Sequence, residues 1–134
     1  MRSTLFQSAA AALVWLAAAA TPATAQTLEQ QLAWCNNPDG NFTPDQVISG
    51  CTAHIQTGVL DAQNLAIVHF NRGNGYFDKR DYAHAVADYS EAIRLNPRYA
   101  NAYFNRALAY DELGDHARAA ADRAIATRPA APGH

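Results

Sequence analysis

An all-α fold, a short solenoid of tandem helix–turn–helix units, is what the sequence predicts, and three observations predict it. Residues 66–99 and 100–133 repeat each other at a period of 34 and align without a gap for their first 23 positions, ten of which are identical. Alanine supplies 30 of the 134 residues, whereas Leu, Ile, Val and Phe together supply only 25, so a core has to come from helices that approach closely. Helix caps and stops recur at regular intervals, and no long run of β-branched residues offers strands.

Taking the chain in order, residues 1–25 read as an export segment. Arg2 precedes an apolar run from Ala9 to Ala20, and Ala23-x-Ala25 places small side chains at a cleavage site, giving a mature start at Gln26. The run is short for a bilayer span, which leaves an uncleaved anchor as the alternative. On this reading the mature chain is exported, periplasmic or secreted, with no membrane attachment after cleavage. A first helix is expected near Leu28 to Cys35, followed by a loop over Asn36–Asn41. Thr43-Pro44-Asp45-Gln46 combines an N-cap, a proline in the first turn and a capping-box glutamine, so a second helix should run from there to a stop at Gly58. Asp61 caps a helix to about Lys79, and Asp81 caps Tyr82–Leu95, which ends at Asn96-Pro97. The next helix ends at Gly114, and Asp115 caps a last helix that stops before Pro129. Domain boundaries follow: 1–25 export segment, 26–61 N-terminal capping helices with a degenerate half repeat, and 62–134 two repeats with a short tail.

Small residues fall where paired helices should cross, at Gly73, Ala85 and Ala92 and again at Ala107, Ala119 and Ala126. Tyr76, Tyr89, Tyr103, Phe104 and Tyr110 are available to fill the space between them. Cys35 and Cys51 are the only cysteines, and their spacing fits no zinc or C-x-x-C pattern. In an oxidising compartment a disulfide is the favoured reading, worth about 3 kcal/mol for a loop of this size; two buried thiols or a nucleophilic cysteine are the alternatives.

At Gly73, Tyr76, Ala85, Tyr89, Ala92 and Pro97, and then Ala107, Tyr110, Ala119 and Ala126, the chain resembles the tetratricopeptide repeat family. That family's 34-residue unit carries small residues at positions 8, 20 and 27, tyrosine at 11, an aromatic at 24 and proline at 32. The second unit departs at Arg123, in the aromatic position, and at Pro129, two residues early. Shifted by 38 residues, Val47, Ile48, Cys51 and Ile55 fall on Ala85, Val86, Tyr89 and Ile93, so a half unit tied by the cysteine pair to a capping helix precedes the repeats. The arrangement is similar to small exported tetratricopeptide proteins of alphaproteobacteria.

The resemblance implies a non-catalytic protein–protein interaction module that takes a peptide or helix in a concave groove. It places Ile67, Phe70, Asn74, Phe77, Asn101, Phe104 and Leu108 in that groove, with Asp78, Asp111 and Glu112 at an acidic end. The Lys and Arg that family members use to clamp a C-terminal carboxylate are missing, and any charge preference should favour basic groups. Alternatively Phe70, Phe77 and Phe104 are ordinary core under the N-terminal helices. Self-association through the end faces is the rival within the binding class.

Other classes have little in the sequence to carry them. Ten Lys and Arg against twelve Asp and Glu, a net charge of −2, exclude a strongly basic nucleic-acid binder. Five histidines show no metal-binding pair joined to a carboxylate, no phosphate loop or nucleophile elbow appears, and neither a cofactor nor catalysis is expected. Arg72 and Arg106 are each spaced to reach Asp88 or Asp122 on the paired helix as a buried bidentate pair. Residues 26–71 hold Glu29, Asp39, Asp45 and Asp61 and no Lys or Arg, whereas 72–134 hold nine basic and eight acidic residues. Thiol titration of the denatured chain should find no reactive thiol until reductant is added; two thiols without reductant would rule out the disulfide.

Overall fold

The computed structural model describes residues 27–37 and 39–129. The export segment expected at 1–25 lies outside them. Six helices follow in order: α1 (Leu28–Asn36), α2 (Pro44–Gln56), α3 (Ala62–Asp78), α4 (Tyr82–Leu95), α5 (Ala100–Glu112) and α6 (His116–Ala126). The polar caps act as the sequence predicts. Thr43 and Gln46 form a reciprocal capping box at α2, and Asp61, Asp81 and Asp115 accept from backbone N–H groups in the first turns of α3, α4 and α6. Tyr99 opens α5 without a side-chain cap.

Three helical hairpins, α1–α2, α3–α4 and α5–α6, stack side by side, with α2 against α3 and α4 against α5. The first helices of the hairpins also touch in sequence, α1 to α3 and α3 to α5, and so form one face of the stack. The half unit expected over 43–55 is therefore completed by α1 into a full helical pair. Its 38-residue offset has a local cause: α3 has 17 residues and α5 has 13, an extra turn at the start of α3.

One spacing governs how each hairpin closes. Residues sixteen apart meet where the two helices cross, and each hairpin solves the contact differently. In the first, Cys35 and Cys51 are joined by a disulfide. In the second, a Cβ on Gly73 would stand 2.7 Å from the Tyr89 ring, so the glycine is what admits the buried tyrosine. In the third, Ala107 is buried, and Arg123 turns away to pair with Asp111. That explains how the last helix keeps its register without an inward aromatic. Ala85, Ala92 and Ala119 are buried as well, whereas Ala126 is only half-buried.

One residue earlier, the same spacing carries the polar core. Arg72 donates from Nε and Nη2 to both Asp88 oxygens at 2.8 Å, and Arg106 does the same to Asp122 at 2.7 and 2.8 Å. Each guanidinium has a third bond, to the second helix of the preceding hairpin: Arg72 to Thr52 at 3.1 Å and Arg106 to Ser90 at 3.0 Å. Each arginine therefore closes its own hairpin and fastens it to the one before. Rings flank the second, with Arg106 lying 5.6 Å from the Tyr103 centroid and 5.7 Å from that of Tyr110. At the corresponding place in the first hairpin stand Trp34 and Gly50, where a Cβ on Gly50 would come within 2.4 Å of the Gln31 carbonyl oxygen and 2.8 Å of the Trp34 Cβ. Close backbone approach replaces the ion pair there.

Burial raises the Asp88 carboxyl, but hydrogen bonds from His69 and Arg72 and the Arg72 charge outweigh it, so its pKa lies below the ordinary value. A lowered carboxylate pKa stabilises the fold above the unfolded value of about 3.9, and that contribution disappears as pH falls through the lower folded value. Below about pH 4 the wild type should thus lose stability more steeply than Asp88→Asn, as measured by urea unfolding across pH; parallel curves would contradict the role given to Asp88. Gly50→Ala should destabilise by about 1–3 kcal/mol through overpacking, despite the helix propensity it gains. Thermal and urea denaturation test this, and an unchanged midpoint would show that the helix contact is looser than described.

Candidate functional site

The face built from α1, α3 and α5 carries the groove residues expected from the sequence, but it divides them. Phe70 is half-buried against the core, packing on Tyr89 and Tyr99 with ring centroids 5.8 and 4.9 Å away. Phe77 is half-buried and meets Tyr82 edge-on at 5.2 Å. Phe104 keeps 47% of its surface exposed and Ile67 keeps 39%, so the N-terminal helices do not cover them. Asn101 is exposed and Leu108 half-buried. Phe104 and Leu108, four residues apart on α5, share one face of that helix.

Two clefts lie on this side of the stack. The first, about 230 Å³, sits between the N-terminal hairpin and α3, and is lined by Asn36, Asn37, Phe42, Pro44, Val47, Asn71, Asn74, Gly75, Asp78 and the backbone about Cys35. The second, about 320 Å³, lies between α3 and α5 and is lined by Asn74, Phe77, Asp78, Tyr89, Asn105 and Leu108. Asn74 and Asp78 belong to both. Of the predicted groove residues, the second cleft gathers Asn74, Phe77 and Leu108; Ile67, Phe70, Asn101 and Phe104 line neither.

Hydrogen bonds fix how the amides face the clefts. Asn74 Oδ1 accepts from the Tyr89 hydroxyl and from Asn105 Nδ2, both at 2.8 Å. Asn37, in left-handed conformation at the end of α1, accepts from the Phe42 N–H at 3.0 Å through its own Oδ1. The Asn74 oxygen is fully occupied, so N–H donors are what that side chain has left to offer, whereas Asn37 keeps one acceptor site beside its N–H donors. Burial pushes the Tyr89 phenol up; the Asn105 contact opposes this, and the negative charges of Asp78 and Asp88 add to the rise, so the phenol stays protonated as the donor to Asn74.

Asp78 is the one charged residue among the lining of either cleft. Its neighbour Lys79 is engaged by Asp45. At the far end of α5, Asp111 is paired with Arg123 and lies in hydrogen-bond contact with His116 Nδ1. The acidic end expected from Asp78, Asp111 and Glu112 therefore leaves Asp111 paired.

Asn37, Phe42 and Pro44 were not legible as groove residues. One signal was available: at the 38-residue offset Cys35 falls on Gly73 and Asn36 on Asn74. Carrying that alignment back into the first helix extends the face of first helices to α1. Among the described residues no group of histidines, cysteines and carboxylates is placed to hold a metal ion, and no helix is long and apolar enough to cross a membrane.

Comparison with known proteins agrees with this geometry. Residues 73–114 match the TPR repeat family model. The chain is tandem tetratricopeptide repeat in fold. Among solved structures it is similar to one described as the crystal structure of MamA, with 25% sequence identity and a TM-score of 0.63 over 75% of this chain. The match spans 57% of that other chain, so it covers little more than half of the larger structure. No curated protein matches the sequence. Tetratricopeptide repeats generally mediate protein–protein interaction and are typically non-enzymatic scaffolds.

Proposed function

We propose that this protein is a non-catalytic interaction module that binds a peptide or helical segment of a partner protein along the face formed by α1, α3 and α5. The observation that carries the reading is the continuity of that face: two clefts joined at Asn74 and Asp78, bordered by the exposed Phe104 and the half-buried Leu108. Apolar side chains left in water beside preset amides are what an apolar anchor with a hydrogen-bonding backbone requires. The alanine-rich pattern of residues 1–25 and the Cys35–Cys51 bond support an exported, oxidising location, so the partner would be met outside the cytoplasm. Self-association is the second reading, favoured by a cleft at the C-terminal end of the stack lined by Pro97, Tyr103, Ile125 and Pro129.

Replacing Phe104 and Leu108 together by serine should leave the helical circular dichroism intact and cut capture of partner proteins from an extract of the source cells at least tenfold. Undiminished capture by a folded double variant would place the binding surface elsewhere. Light scattering of the isolated protein separates the second reading, which requires a mass above that of one chain at micromolar concentration.

A further inference from the structure

Resting on the groove reading above, we infer that the ligand of this face carries a Lys or Arg side chain, held by Asp78 at the junction of the two clefts, while Asn37 and Asn74 donate to its backbone carbonyls.

Three observations converge on this class of peptide. Asp78 lines both clefts, and neither lining contains a Lys or Arg to neutralise it. The nearest basic residue in the sequence, Lys79, is held by Asp45. A carboxylate at such a junction, exposed and without a cation in either lining, attracts a cation and repels an acidic side chain. The two amides supply the second half of the pattern. The oxygen of Asn74 is taken by Tyr89 and Asn105, so its donors are what it offers a ligand, and Asn37, whose oxygen accepts one bond from the Phe42 N–H, offers its own N–H donors as well. Amide donors in the same clefts as an acceptor of cations suit an extended main chain whose carbonyls face the amides and whose basic side chain faces Asp78. The third observation is apolar: Phe42 in the first cleft and Phe77 with Leu108 in the second leave room for an uncharged side chain on each side of the basic one.

The arrangement also rejects the opposite ligand. A peptide ending in a carboxylate would bring its charge to Asp78 with no cation in either lining to receive it, at a cost of like-charge repulsion.

Selection of random capped nonapeptides on the full-length protein tests the inference. The expected result is enrichment of Lys or Arg at one recurring position with apolar residues beside it. Binding of the enriched peptides should weaken about threefold on Asp78→Asn, and by a similar factor when the basic residue is replaced by Gln. It should also weaken between 50 and 500 mM salt. Asp78 is exposed at the end of α3, so the variant should fold, and circular dichroism verifies that. Enrichment of neutral or acidic peptides, or binding that survives Asp78→Asn but is lost in Phe104→Ser with Leu108→Ser, would overturn the basic specificity and leave the groove reading standing. If no peptide binds, both fall.

Discussion

Two buried guanidinium–carboxylate pairs organise this molecule. Arg72 with Asp88 and Arg106 with Asp122 stand sixteen residues apart in the second and third hairpins, and each arginine extends a third bond back to Thr52 or Ser90. An ion pair is costly to bury unless its geometry is bidentate and further hydrogen bonds support it, and here each pair is bidentate and the third guanidinium nitrogen has a hydroxyl partner. The pair does what a purely apolar contact does not: it fixes the rotation of the first helix of each repeat, and that rotation sets which side chains reach the face shared by α1, α3 and α5. Asn71 and Asn105 directly precede the arginines, and Asn74 lies two residues beyond Arg72, so their presentation to the clefts follows from where the guanidinium is anchored.

The N-terminal hairpin lacks such a pair and uses covalent chemistry instead. Trp34 and Gly50 occupy the positions of arginine and aspartate, and the disulfide takes the place of the glycine–tyrosine contact one residue on. With few large apolar residues to bury, a short array gains more from a crosslink that restricts its unfolded state than from another methyl group. The disulfide also holds the end of α1 beside α2, and Asn36, Asn37 and Phe42 enter the first cleft as a consequence. The crosslink that stabilises the hairpin is in this way also what shapes one wall of the first cleft.

Much of this was legible in the sequence because it depends on local rules. Thr43, Asp61, Asp81 and Asp115 announce helix starts by capping chemistry that needs no tertiary context, and Gly114 adopts the positive φ of 80° that a helix stop favours. The Arg–Asp pairs were legible because the repeat period places both partners on facing helices. The site was less so. Phe70 and Phe104 are identical in the repeat alignment yet differ in environment: Tyr99, in the loop before α5, covers Phe70. No spacing rule reports which copy of a repeated residue has a neighbour. Asn37 and Phe42 depend on the backbone of an irregular loop, where periodicity carries no information.

The central claim is that each arginine and its aspartate act as one unit that orders a repeat. A double-mutant cycle of Arg72→Met and Asp88→Leu, followed by urea denaturation, tests it most directly. Each single change should cost about 3–5 kcal/mol by leaving a buried charge without its partner, and the double change should cost no more than the worse single one. Single costs that add to within about 0.5 kcal/mol would contradict the account, because two residues that contribute independently cannot be the staple that sets the face.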